Sequence, residues 1–321
     1  MASVGTNKRR RTFSNTLHII DLPIGFLVDV SLYLTKPSRA IFAVAISASS
    51  SSWKKIDRHQ DVKQLISDSS KAIIAASDWD TLDFADIEKN LAERLTDDNL
   101  HSILSCIAIQ TLRILKLTNC TNFIGDGLKP LQSSTVLELI DLSLIGKYER
   151  QWFVSAEDLN LSQRVVLPIL HTIRRSLQYV QFPHSWHQGE TDMILQFKRR
   201  FVNDFQERNH ICSNCNRNVN EQAEEMLRGY GHQHNICYSC LKVICYDCKR
   251  DGRAYLDTCT NCRKDYCVDC EEFVSCRSCG FSVCSGCKKI CQGCENSFCQ
   301  QQPCLDDCDC ERMHRLLDLH W

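Results

Sequence analysis

The sequence holds no apolar run near the roughly 18 residues a bilayer-crossing helix needs, and its formal net charge is only −1. The first absence argues against a membrane partner. The second removes any global electrostatic pull toward nucleic acid or an anionic surface. Met1 to Thr12 is polar and basic, without the apolar core of a secretory signal, so a reducing setting, cytoplasmic and/or nuclear, is expected. No Ser-His-Asp arrangement, phosphate loop or paired carboxylates in a repeated context is present, and no catalytic residue is assigned. Cysteine is nearly missing too, but only from the first two-thirds. Cys106 and Cys120 alone precede residue 212, and the other 20 of the 22 fall between Cys212 and Cys310.

Those 20 form a ladder of C-x2-C pairs: Cys212/Cys215, Cys237/Cys240, Cys245/Cys248, Cys259/Cys262, Cys267/Cys270, Cys276/Cys279, Cys284/Cys287 and Cys291/Cys294. Cys299, Cys304, Cys308 and Cys310 follow. Disulfides would need an oxidising compartment, and they have no use for so regular a spacing. Two thiolates three residues apart on a tight turn suit one tetrahedral ion, and four-cysteine sites are closed, structural ones. The ladder therefore predicts a zinc module of about five ions, built of short hairpins, with Ile244, Tyr266, Val283 and Phe298 packing between the ions. A fifth ion is expected on Cys299, Cys304, Cys308 and Cys310. A competing division places Cys291, Cys294, Cys299 and Cys304 on one knuckle-like ion and makes His314 a ligand. Residues 212–321 hold 13 Lys and Arg against 16 Asp and Glu. Each four-thiolate zinc site adds −2, so five sites bring the module to about −13. Phosphate binding needs the opposite sign, so nucleic acid is not expected as a partner.

The first four pairs resemble the cross-braced two-zinc plan of FYVE and PHD fingers. There the first and third pairs share one ion, and the second and fourth the other. His234-x2-Cys237-x2-Cys240, with His232 nearby, instead resembles the middle of a RING finger, so a self-sufficient RING-like ubiquitin ligase stands as an alternative.

Upstream, apolar residues at Phe26, Leu27, Val30, Tyr33 and Leu34 recur on one face of a helix that opens at Pro23. A second helix through Ile41, Phe42, Val44 and Ile46 is expected after Ser38 as N-cap. The order Leu22-Pro23, Phe26-Leu27, Val30, Tyr33-Leu34 resembles the F-box, with Ile24-Gly25 and Arg39 as departures. This resemblance implies that Leu22, Pro23, Phe26, Leu27, Val30, Tyr33 and Leu34 dock a Skp-type linker of a cullin ubiquitin ligase.

Next comes Leu112-x-x-Leu115-x-Leu117-x-x-Cys120-x-x-Phe123, then Gly127-Leu128. Leu137-x-x-Ile140-x-Leu142 and Leu177-x-x-Val180-x-Phe182 repeat its strand, with Leu82 to Ile87 a worn copy. The pattern is that of leucine-rich repeats, of the cysteine-containing subtype, with Cys120 a buried turn residue. Cys106, near Ile103 and Ile107, is expected in the core. Met193, Phe197, Phe201 and Phe205 make an amphipathic helix that caps the array or braces the zinc module, with Lys198-Arg199-Arg200 toward solvent.

The expected fold class is multi-domain: a small α-helical F-box, a short α/β leucine-rich repeat array and a small zinc-stapled irregular/β-hairpin module. Its divisions are a basic tail (1–16), F-box-like helices (17–56), repeats (57–188), a connecting helix (189–210) and the cysteine module (211–321). The run Lys8-Arg9-Arg10-Arg11 is open between an import signal and a solvated tail. The expected function is substrate recognition within a Skp–cullin–F-box ligase. The repeats and/or the zinc module would hold a protein substrate that the sequence does not identify. A zinc-rich interaction scaffold unrelated to ubiquitin is the other alternative.

Overall fold

Four short runs of the apolar pattern become four parallel strands: β1 (Thr81–Asp83), β2 (Ile114–Lys116), β3 (Leu139–Asp141) and β4 (Tyr179–Gln181), paired in that order. The computed structural model describes residues 24–52, 71–75, 78–144, 160–183, 185–188, 191–208, 210–219, 236–260, 262, 264–290 and 295–299. Lys8 to Arg11, Leu22, Pro23, His232, His234 and His314 lie outside them.

The pairing register sets Leu82, Leu115, Ile140 and Val180 side by side, and none is more than 3% exposed. Burying each such side chain is worth on the order of 2 kcal/mol. A one-residue slip would turn the whole row to the opposite face, so the apolar period pins the register. Helical connections cover this side: α1 (Asp97–Cys106), a 3-10 segment (Asp126–Ser133) and α2 (Gln163–Ile173) lie next to one another. Parallel strands need such crossovers.

Local chemistry fixes the turns between units. Thr96 and Asn99 form a reciprocal capping box at the start of α1. The Asp97 carboxylate accepts the N–H groups of Ile124, Gly125 and Gly127, tying one unit to the next. Gly127 sits so close that a Cβ would lie 2.7 Å from the Asp97 carbonyl oxygen. Cys120 is buried, its Sγ 3.6 Å from the Thr118 carbonyl oxygen, and burial pushes its thiol pKa up. It is a protonated turn residue, as the pattern predicts. Cys106 is not in the core; it is exposed at the last position of α1. The buried face there is Leu100, Ile103 and Leu104, with Ile107 just beyond the helix, and position 106 rotates off it.

A helical hairpin, Ile24–Leu32 and Lys36–Ser52, closes the β1 end. Ala40 enters the core under the parallel sheet, and Lys36 Nζ lies 2.5 Å from Asp80. The second helix starts two residues before Ser38, whose N–H is accepted by the Thr35 hydroxyl at 3.4 Å, and it runs on through the serine-rich stretch. Arg39, one of the two departures from the F-box pattern, has a local role. Its guanidinium donates to the carbonyls of Ser31, Leu32 and Leu34, the group of acceptors that a helix C-terminus leaves without partners.

Helix α3 (Asp192–Glu207) joins the two halves. Ile194, Phe197 and Phe201 belong to the core between the parallel sheet and its helices, while Val202 and Phe205 belong to the core of the cysteine-rich part. Met193 is 38% exposed, so the stripe begins at Ile194 rather than at Met193. Among its described residues the cysteine-rich part has three small two-stranded antiparallel sheets: β5/β6 (Leu256–Thr258, Asp265–Cys267), β7/β8 (Phe273–Ser275, Ser282–Cys284) and β9/β10 (Lys289–Ile290, Ser297–Phe298). It also has two tighter hairpins, closed by the bridges Ile211 to Asn218 and Ile236 to Val243, and a short helix, Tyr246–Arg250. As expected, Ile244, Tyr266, Val283 and Phe298 are among its buried apolar residues. Among the described residues, no helix is long and apolar enough to cross a membrane.

Candidate metal centres and the interface they build

Each described C-x2-C that opens a hairpin closes the same turn. The N–H groups of Cys212, Cys237, Cys259 and Cys276 donate to the carbonyls five residues on, those of Arg217, Lys242, Lys264 and Phe281. At three of these turns the residue after the second cysteine takes a left-handed φ: +58° at Asn216, +60° at Leu241 and +71° at Gly280. Such a turn aims two thiols and several N–H groups at one point. Although burial opposes it, the N–H groups of Cys245, Cys215 and Asn214 draw the Cys212 thiol down to about 6. Those of Cys279, Cys299 and Ser278 do the same for Cys276. N–H donation favours the thiolate, the form that ligates metal.

The turns meet trailing pairs from farther along the chain. Cys212, Cys215, Cys245 and Cys248 form one group; Cys237, Cys240, Cys267 and Cys270 a second; Cys259, Cys262, Cys284 and Cys287 a third; and Cys276, Cys279 and Cys299 a fourth. Within each group the sulfurs lie within 4.8 Å of one another. The contacts joining two pairs are 3.6 Å (Cys215–Cys245), 3.7 Å (Cys240–Cys267), 3.9 Å (Cys262–Cys284) and 3.8 Å (Cys279–Cys299). A tetrahedron with ligand bonds of about 2.3 Å has edges of about 3.8 Å. The sulfurs therefore fit a metal ion, and several such groups are present.

The grouping differs from the cross-braced expectation after its first site. The first and third pairs do come together, but the second meets the fifth, not the fourth. Among the described residues Cys299 lies with Cys276 and Cys279, two cysteines that neither expected division placed beside it. Cys291, Cys294, Cys304, Cys308 and Cys310 themselves fall outside the described residues.

A sequence signal for this arrangement exists. C-x2-C-x4-C recurs at Cys237, Cys259, Cys276 and Cys291, with a buried apolar residue before the last cysteine each time. In the first three units the last cysteine opens a trailing C-x2-C pair. Each of these three units divides its cysteines between two sulfur groups: the leading pair meets cysteines farther along the chain, and the trailing pair meets a leading pair before it. Backbone bonds repeat with the same period. Ser213, Tyr238, Thr260 and Arg277 donate to the carbonyls of Val243, Asp265, Ser282 and Ser297 at 2.9, 2.7, 3.1 and 2.9 Å. Every acceptor lies two residues before a trailing cysteine. The described array is thus a chain of junctions, with one group of cysteine sulfurs at each.

This array lies against the second face of the parallel sheet. Leu139 and Tyr179 belong to its core, with Ile114 packed alongside. Tyr238, next to the ligand Cys237, inserts its ring edge-on to Tyr179 at 5.5 Å. Its hydroxyl donates to Asp141 Oδ2 at 2.6 Å, and Lys264 Nζ reaches the same oxygen at 2.6 Å. Asp141 also accepts the Ser143 N–H, and Lys116 and Lys264 sit over the Tyr238 ring at 4.5 and 4.1 Å. Burial alone would raise the Asp141 pKa, but the Lys264 ammonium and these donors hold it below the usual carboxylate value. Burial likewise opposes the Lys264 charge, yet Asp141 raises its pKa. The pair is ionised and largely shielded from water, with 12% of the Lys264 side chain and 2% of the Asp141 side chain exposed. Sequence reading missed Asp141, Tyr238 and Lys264, since nothing in their spacing sets them apart from surface residues.

Of the residues expected to dock a linker, Phe26 (51%) and Tyr33 (91%) are exposed, as is Leu32 (53%). Val30 and Leu34 are half-buried. Leu27 is buried with Ala43, Ile46 and Ile73, so it holds the hairpin together rather than facing outward. Comparison with known family models, curated proteins and solved structures finds no match for this chain.

Proposed function

We propose that this chain is the substrate-recognition subunit of a Skp–cullin–F-box type ubiquitin ligase, with leucine-rich repeats braced by a zinc-bound cysteine array. The observation that carries the reading is the N-terminal hairpin. It buries one side against the sheet end yet leaves Phe26, Leu32 and Tyr33 uncovered. Large apolar side chains exposed at one site are a mark of a protein contact, and Phe26 and Tyr33 are two of the residues that the F-box resemblance assigns to the linker. Four-thiolate closed sites suit Zn²⁺ as a structural ion. Zinc bound there contributes on the order of 10 kcal/mol per site to folding in small peptides. The chain's own residues supply the rest: Tyr238 and Lys264 fasten the array to the sheet, and α3 spans both cores.

A second reading, a zinc-rich interaction scaffold unrelated to ubiquitin, draws on the array itself, which exposes Tyr255, Val268 and Phe281. Co-precipitation with a Skp-type linker decides between them. Phe26→Ala with Tyr33→Ala removes exposed side chains only, so the fold should persist while linker capture is lost. Undiminished capture by the double variant, or no capture by the natural chain, would reject the F-box reading.

A further inference from the structure

Tyr238 and Lys264, the two side chains that hold Asp141, stand beside one sulfur group, that of Cys237, Cys240, Cys267 and Cys270. Among the described cysteines of the four groups Cys240 is exposed, and every other is buried or half-buried. We infer that Cys240 is an oxidative modification site. A hydroperoxide turns this group from a metal-binding set into one disulfide and two leftover thiols, which frees the ion and loosens the array's hold on the sheet. The inference rests on the reading of the groups as zinc sites.

Accessibility selects the sulfur. A metal-bound cysteine is deprotonated, and oxidation follows thiolate character and exposure. Every ligand sulfur shares the first property, so exposure decides, and it singles out Cys240. A second sulfur is at hand to resolve the oxidised one. Cys267 Sγ lies 3.7 Å from Cys240 Sγ, and an S–S bond needs closure to about 2.05 Å. Cys267 is buried, so oxidant reaches the pair from the Cys240 side. With hydrogen peroxide the step balances. The Cys240 sulfur attacks one peroxide oxygen and the O–O bond breaks, giving a sulfenic acid and hydroxide. The Cys267 thiolate then displaces the sulfenic oxygen as a second hydroxide, and the S–S bond forms. The two sulfurs together lose two electrons, the peroxide gains them, and two solvent protons turn the hydroxides into water.

The consequence for the sheet follows from the backbone. Tyr238 lies between Cys237 and Cys240 in the chain, and its N–H donates to the Asp265 carbonyl at 2.7 Å. Asp265 follows Lys264 and stands two residues before Cys267, whose own N–H donates to Cys237 Sγ at 3.3 Å. The segments carrying Tyr238 and Lys264 are therefore aligned on each other at this group. A disulfide takes two of its four sulfurs and leaves too few for a closed site. Metal binding supplies folding free energy, so its loss slackens the alignment that aims Tyr238 and Lys264 at Asp141. Lys116, 4.5 Å above the Tyr238 ring, reports on that seam.

The test treats the full zinc-loaded chain with hydrogen peroxide. Zinc release is followed with a chromophoric chelator, disulfides are mapped by mass spectrometry, and Lys116 acylation reads the seam. The first zinc equivalent should leave as Cys240 enters a disulfide within its group, with Cys267 the expected partner. Lys116 labelling should rise on the order of tenfold in the same phase. Cys240→His keeps a metal-binding side chain but has no thiol. It should start with the full zinc complement and slow that phase on the order of tenfold. Cys215→His, the corresponding change in a group without an exposed cysteine, should leave the phase unaltered. If Cys240→His loads less zinc than the natural chain, the natural chain's disulfide map decides alone. The proposal is overturned by a first disulfide that omits Cys240, by zinc release that leaves Lys116 protected, or by an undiminished rate in zinc-loaded Cys240→His. Equal slowing by Cys215→His would also overturn it. A natural chain that binds no zinc would bring down the zinc reading as well, whereas a zinc-loaded chain whose Cys240 is spared overturns this proposal alone.

Discussion

Asp141 is the point at which the two halves of the molecule are most exposed to a single substitution. It is 2% exposed and accepts hydrogen bonds from Lys264, Tyr238 and the Ser143 N–H. Asp141→Ala would leave a buried ammonium and a buried hydroxyl without their acceptor. Removing one partner of a buried ion pair costs about 3–5 kcal/mol, most of it for the charge left behind. For a chain of this size that corresponds to a fall in melting temperature of roughly 10 °C, measured at fixed free zinc because bound metal shifts apparent stability. The exposed pair Lys242 and Asp269, 2.9 Å apart, is the control, and Lys242→Ala should cause no measurable shift. The double variant Asp141→Leu with Lys264→Met removes both charges and keeps apolar volume, so it should recover most of the loss. If Asp141→Ala melts with the natural chain, the array does not depend on this contact. If the double variant is as unstable as Asp141→Ala, the loss is one of shape and not of an orphaned charge.

Chelation should act on both halves, because Leu139 and Tyr179 of the sheet share a core with the cysteine array, and Tyr238 is placed there by the turn that carries Cys237. Removing metal should therefore raise acylation of Lys116, whose side chain is 16% exposed, on the order of tenfold as local protection is lost. Unchanged Lys116 labelling would show that the array stays seated without metal. Gly127→Ala should destabilise the parallel-sheet half by about 1–3 kcal/mol in urea titration, because its Cβ would meet backbone at 2.7 Å. A loss below about 0.5 kcal/mol, the range of ordinary surface changes, would mean that the Asp97 turn yields freely.

Much of this fold is legible in the residues because its determinants are local. The strand positions follow from a two-residue period between turn signals, so the spacing alone places Leu115, Ile140 and Val180 on the inward face. Ligand turns are also local: a C-x2-C carries its own N–H donors and needs no distant residue to adopt its shape. Cys106 and Leu27 depart from their expected places for one reason. Apolar spacing marks a helix face only to within one residue, and packing at a helix end or inside a hairpin decides which side is covered.

What the sequence by itself determined is that the cysteines are spaced to bind in fours and that a repeated strand pattern precedes them. Which fours was settled only in three dimensions. A thiolate pair is chemically indifferent to its partner pair, so the choice falls to the register of backbone bonds such as Tyr238 to Asp265 that align one unit on the next. The joining of array to sheet is likewise tertiary. Asp141, Tyr238 and Lys264 are ordinary polar residues along the chain, far apart in number, and they become a buried cluster only because apolar burial around Leu139 and Tyr179 brings the two surfaces together.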